Sequence, residues 1–246
     1  MNAIAGGGTL LTFPALLGLG VPAIVANATS TVALWPGVLG SMWGYRRELT
    51  GAKRWAARFA VPSVLGGGAG AALLLVTSPK AFDAAVPWLV WGATLLFVVQ
   101  RPIMAAFRSR AVVRSTTIRV AEDPALDPPP LAVLIYQFVV SVYGGYFGAG
   151  IGILMLAALG FMGFTNIHRM NGLKNWGALC INAVAAVTFA ASRLVDWPVA
   201  TAMAIGAIAG GYGGSQLAQA VPQAWVRRAI IVIGLGSGLL LLAHRL

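Results

Sequence analysis

Ile4-Ala5-Gly6-Gly7-Gly8-Thr9-Leu10-Leu11-Thr12-Phe13-Pro14-Ala15-Leu16-Leu17-Gly18 is echoed about 142 positions later by Tyr146-Phe147-Gly148-Ala149-Gly150-Ile151-Gly152-Ile153-Leu154-Met155-Leu156-Ala157-Ala158-Leu159-Gly160. In each stretch a glycine cluster interrupts an apolar run, and a second helix-length segment carrying small polar residues follows. Broken apolar helices at corresponding points of two halves are a sequence pointer to a transporter binding site.

Composition sets the surroundings. Hydrophobic residues make up 59% of the 246 positions and charged residues 9%, with a mean hydropathy of +0.83. Such a chain must place most of its surface in lipid, so the lipid bilayer is its first partner. At about 20 residues per crossing, the length holds roughly seven or eight transmembrane helices and no separate soluble domain. The reading is an all-α integral membrane protein built as a duplicated four-helix repeat, with a glycine-broken first helix in each repeat.

Apolar runs between charges predict spans near 4–20, 24–45, 56–76, 82–100, 131–161, 170–191, 198–217 and 225–243. Residues 1–100 form the first repeat, 101–130 a cytoplasmic linker and 131–246 the second repeat. The linker ends in Glu122-Asp123-Pro124-Ala125-Leu126-Asp127-Pro128-Pro129-Pro130, which cannot continue a helix. The run 131–161 is too long for one straight span, so its glycines divide it into a kinked crossing or a re-entrant hairpin. Before the first glycine cluster stand only Met1 to Ala5, where the second copy has Leu131 to Val142. That asymmetry reads as a first helix lacking its front half, with a naturally minimal span as the alternative.

The net charge of +11 resides in short loops. Arg46, Arg47, Lys53, Arg54 and Arg58 form one group; Arg101, Arg108, Arg110, Arg114 and Arg119 form another, and both loops are expected on the cytoplasmic side. No basic face or recognition motif accompanies the charge, so nucleic acid is not an expected partner. Charges in the second half leave both a four-plus-four arrangement and an inverted repeat open. A homo-oligomer is as compatible with this composition as a monomer.

Chemistry-bearing residues are few. Two distant histidines, His168 and His244, and the lone Cys180 make no metal site, and no nucleophile set or phosphate-binding loop is present. The expectation is no enzyme, no cofactor and no metal. A broken helix, by contrast, frees backbone N–H groups that, with the helix dipole, can hold an anion inside a protein-lined cavity. Gly6, Gly7, Gly8 and Thr9 would build one such half-site, and Gly148 and Gly150, with the intervening backbone, the other. The following helices add Asn27, Thr29 and Ser30 in the first half and Asn171, Lys174 and Asn175 in the second. With a repeat offset of 142, Thr29 falls opposite Asn171. An intramembrane lysine is costly and marks a functional site by default; a lysine snorkelling to the nearby surface is the structural alternative. Acidic residues fall in loops or at span ends, which argues against a carboxylate-built sodium site or an intramembrane proton relay.

The run Gly6 to Gly20, the segment Ala26-Asn27-Ala28-Thr29-Ser30-Thr31, the Gly66 to Gly70 helix and Asn171 to Asn175 together resemble the sulfite exporter TauE/SafE family across nearly the whole chain. The resemblance implies a duplicated four-helix permease, multi-pass in the bacterial cytoplasmic (inner) membrane. It also implies movement of sulfite, organosulfonates or related small sulfur-containing oxyanions by a secondary transporter, with export the expected direction. By position it points to Gly6, Gly7, Gly8, Thr9, Thr29, Ser30, Gly148, Gly150, Asn171 and Lys174. The small anionic substrate would meet backbone N–H groups, hydroxyls, amides and the lysine. An anion channel using the same donors, or a non-transporting membrane scaffold, are the rival classes.

Overall fold

The computed structural model describes residues 8–47, 49, 52–117, 128–162, 164, 166–220 and scattered positions between 231 and 239. Among the described residues the helices run in chain order α1 Gly8–Gly18, α2 Ala23–Gly44, α3 Lys53–Val76, α4 Pro79–Thr117, α5 Leu131–Tyr146, α6 Ile151–Phe161, α7 Ile167–Ala191 and α8 Trp197–Ala220, with further helical positions between 231 and 239. No strand occurs among the described residues. Among the described residues, four stretches are long and apolar enough to cross a membrane: Ala23–Trp43, Lys53–Val76, Pro79–Val99 and His168–Ala191. The span predicted over 225–243 lies largely outside the described residues. The α4 helix runs on to Thr117, well into the segment read from sequence as linker.

The apolar run 131–161 divides where its glycines predict. Helix α5 stops at Tyr146, four residues make the break, and α6 starts at Ile151. Gly148 and Gly150 hold φ of +81° and +82°, a conformation that costs other L-residues their Cβ clearance. Two short helices then turn directly into long ones. Between α1 and α2 the turn is closed by Val21 N–H donating to the Leu16 carbonyl at 3.1 Å, and between α6 and α7 by Phe164 N–H donating to that of Leu159 at 3.2 Å. The side chain of Asn166 caps α7, accepting from the backbone N–H groups of His168 and Arg169.

Helix starts follow one another at matching intervals: α1 at Gly8 and α6 at Ile151, α2 at Ala23 and α7 at Ile167, α3 at Lys53 and α8 at Trp197. These intervals are one or two positions longer than the offset of 142 read from the glycine clusters. Counted from their helix starts, Asn27 and Asn171 are both fifth residues, and Ser30 and Lys174 both eighth. The earlier alignment of Thr29 with Asn171 shifts accordingly.

In lipid, where burial of apolar surface gives helices little reason to associate, close packing holds the bundle together. The tightest seam joins α3 to α5. A Cβ on Gly66 would stand 2.6 Å from both the Phe138 carbonyl oxygen and Ser141 Cβ; one on Gly70 would run into the Val142 carbonyl, and one on Gly145 into that of Gly67. Helix α7 packs against both α2 and α3, and α2 also contacts α8. One apolar cluster gathers Phe13, Ala26, Phe82, Phe147 and Phe189 around α1, α2, α4 and the break. A second gathers Trp55, Phe59, Met155, Leu159, Leu173 and Ile181 around the start of α3 with α5, α6 and α7. Trp43, Leu65, Val76, Trp88 and Ile205 lie on the outer surface, as lipid-facing side chains should.

Candidate functional site

The break between α5 and α6 is largely buried: Phe147 and Ala149 are 2% and 1% exposed, Gly150, Ile151 and Gly152 are buried as well, and Gly148 is half-buried. Its shape is held by side chains from both sides. Tyr143, on the last turn of α5, donates its phenolic O–H to the Ala149 carbonyl at 2.7 Å. From across the bundle Asn27 donates its amide Nδ2 to the Tyr146 carbonyl at 2.9 Å. Phe13 of α1 packs edge-on against Phe147, their ring centroids 5.2 Å apart. At the start of α6 the Ile153 N–H already bonds the Gly150 carbonyl at 3.0 Å, which leaves the N–H groups of Ile151 and Gly152 as the helix's positive end inside the protein.

Buried polar groups collect on α2, whose Asn27 reaches this break, and on α7, which packs against α6. On α2, Asn27, Thr29 and Ser30 are fully buried. Ser30 shares a hydrogen bond with Thr12 of α1 at 2.7 Å, and Thr12 also donates to the Gly8 carbonyl at 3.2 Å. The Thr29 hydroxyl accepts the backbone N–H of Asp196 at 3.0 Å, tying α2 to the turn that leads into α8. On α7, Lys174 and Asn175 are 2% and 4% exposed and Asn171 is half-buried. Lys174 is the one charged side chain among the described residues that is this deeply buried. The snorkelling alternative, a lysine ammonium reaching the membrane surface, does not describe it.

Three polar atoms in this region find no hydrogen-bond partner among the described residues: Asn27 Oδ1, Asn171 Oδ1 and Asn175 Nδ2. A buried polar atom left unmated costs about 1–3 kcal/mol, so such a set marks a place where a ligand or bound water completes the bonding. Among the described residues, Asn27, Thr29, Ser30, Lys174 and Asn175 are shut away from solvent and Asn171 is half-buried.

Gly6 and Gly7 lie outside the described residues. Gly8 and Thr9 open α1, while Asn27, Thr29 and Ser30 lie on α2. Gly148 and Gly150 are the left-handed residues of the break, and Asn171, Lys174 and Asn175 lie on the first turns of α7. The structure brings Asn27 directly onto the second break and Ser30 onto α1. It spends Thr29 on the Asp196 backbone, and it turns Asn182 back onto the carbonyl of its own helix at Ala178, 2.7 Å away.

Sequence reasoning missed Thr12 and Tyr143, whose partners are visible only in three dimensions. It also missed a dry cluster in which Gln137 of α5 donates to Ser63 of α3 at 2.9 Å and contacts Ser141 and Met155. Gln137 lies within an apolar helix, and that lone polar residue was the available signal.

A bundle of broken apolar helices enclosing a buried polar site defines a polytopic membrane transporter. The sequence model of the Sulfite exporter TauE/SafE family matches residues 1–241, and the chain belongs to that family. It is also similar to a probable membrane transporter protein of Haemophilus influenzae, with 24% identity over 238 residues, covering 95% of this chain and 86% of the relative. No solved structure matches it.

Proposed function

We propose that this protein is a secondary transporter of small sulfur-containing oxyanions such as sulfite or organosulfonates, working chiefly as an exporter. The observation that carries the reading is the α5–α6 break inside the bundle, from which α6 starts and packs against α7, the helix that carries the buried Lys174 and Asn175. Exposed N–H groups, an amide donor and an ammonium suit a small oxyanion, whose several acceptor oxygens can engage all three.

Alternating access follows from the burial of these side chains. Polar residues this deeply buried cannot exchange a solute with either side without rearrangement, and the two hairpins α1–α2 and α6–α7 are natural moving parts. The site residues Gly6, Gly7, Gly8 and Thr9 would serve the first half and Gly148 and Gly150 the second, with Asn171, Lys174 and Asn175 as side-chain donors and Asn27 and Ser30 lining the first half without a free proton for the anion. Membership of the Sulfite exporter TauE/SafE family supports the substrate class.

The test is labelled sulfite flux into proteoliposomes, with and without an imposed proton gradient, against empty liposomes. Saturable flux above the empty control is the expected result. Flux no greater than the control for sulfite and for short alkanesulfonates would refute the substrate assignment.

A further inference from the structure

Hydrogen-bond accounting on the α1–α2 side of the site gives a surplus of acceptors. The Tyr146 carbonyl can only accept, so the amide of Asn27 must present Nδ2 to it, and the orientation of that side chain is thereby settled. Its Oδ1 is left fully buried with no donor among the described residues. One turn further along α2 is Ser30. With the Thr12 hydroxyl donating to the Gly8 carbonyl at 3.2 Å, the 2.7 Å contact between Thr12 and Ser30 takes the proton of Ser30, which leaves the Ser30 oxygen its lone pairs to offer. Tyr146, which Asn27 touches, ends α5, and the last carbonyls of that helix form the negative end of its dipole. The orphan amide oxygen of Asn27 and the hydroxyl of Ser30, one turn apart on α2, thus lie beside the C-terminal end of α5 that Asn27 touches.

We propose that Asn27 and Ser30, beside the C-terminal end of α5, hold a sodium ion that is carried together with the anion. The coupling role rests on the transport reading above; the cation site does not. Neutral amide and hydroxyl oxygens and the carbonyl end of a broken helix are the ligand types that coordinate monovalent cations in transporters with interrupted helices. Calcium and magnesium sites rely on carboxylates, and the described residues bring no group of three His, Cys, Asp or Glu side chains together. A cation on the acceptor side and an oxyanion on the donor side would also offset one another's charge, which lowers the cost of enclosing either in the membrane. The sequence argument against sodium addressed carboxylate-built sites; this one needs no carboxylate.

The experiment is equilibrium binding of radiolabelled sodium to the purified full chain in detergent, with no transported anion present. Saturable binding that unlabelled sodium displaces and choline does not is expected. Asn27→Ala and Ser30→Ala should each weaken it by about tenfold, equivalent to about 1.4 kcal/mol. Asn27→Asp, which adds a negative charge at the orphan oxygen, should tighten it. Thermal melting accompanies each variant; if Asn27→Ala does not fold, Ser30→Ala decides the matter. Absence of saturable binding to the wild-type protein would overturn the proposal, as would unchanged binding in the folded alanine variants. Sulfite flux that persists without any sodium binding would sink the cation site and leave the transporter reading standing. Sodium binding without anion flux would do the reverse.

Discussion

Asn27 on α2 reaches across the bundle to the carbonyl of Tyr146, 119 positions away in sequence, and fastens the first half of the chain to the helix break of the second. Removing the side chain with Asn27→Ala leaves a buried carbonyl without its donor and loosens the break. The expected cost is about 1–3 kcal/mol of stability. Thermal melting in detergent, compared with Thr201→Ala on the exposed face of α8, measures it; equal melting temperatures would mean that the bond contributes nothing.

Gly148 and Gly150 are predicted to resist substitution for a reason their neighbours do not share. Each holds a left-handed φ, so Gly148→Ala and Gly150→Ala should cost about 1–2 kcal/mol apiece in backbone strain alone. Gly92→Ala, where an added Cβ meets nothing within 4 Å, should be neutral. Folded protein yield and flux together report the difference, and a neutral Gly150→Ala would contradict the assigned backbone geometry.

Close approach rather than backbone conformation governs the α3–α5 seam. A side chain at Gly70 runs into the Val142 carbonyl, so Gly70→Val should prevent α3 from seating against α5 and sharply lower the yield of folded protein. The same change at Gly37 on α2, where a Cβ has open space, should be tolerated. Equal yields for the two variants would show that α3 and α5 do not pack as described.

Much of this was legible in the sequence because glycine acts locally. The clusters at Gly6–Gly8 and Gly148–Gly150 announce a break wherever they stand in an apolar run, and the second break falls where they predict it. Register was harder. The glycine clusters lie about 142 positions apart, but helix starts lie slightly further apart, because the turns between helices absorb the difference; Asn27 therefore matches Asn171 by helix position. The commitment of Thr29 to Asp196, the Tyr143 lock on Ala149 and the Gln137–Ser63 pair all depend on which helices become neighbours. Periodicity within one helix carries no record of that choice. The extension of α4 to Thr117 escaped because its charged residues after Gln100 read as loop, although such residues continue a helix readily.

Lys174→Ala should abolish or strongly reduce sulfite flux while the protein inserts and folds, since it takes the buried ammonium from the proposed anion side. Arg193→Ala, at an exposed position after α7, should leave flux unchanged. Normal flux in folded Lys174→Ala protein would remove the lysine from the site.

The central claim, an oxyanion site exposed alternately to the two sides of the membrane, is tested most directly by counterflow. Proteoliposomes preloaded with unlabelled sulfite are diluted into labelled sulfite, and uptake is compared with that of unloaded vesicles. The account predicts transient accumulation of label above the external concentration, which Lys174→Ala abolishes. Uptake that merely equilibrates under the same voltage-clamped conditions, with no stimulation by internal sulfite, would contradict alternating access and leave a channel in its place.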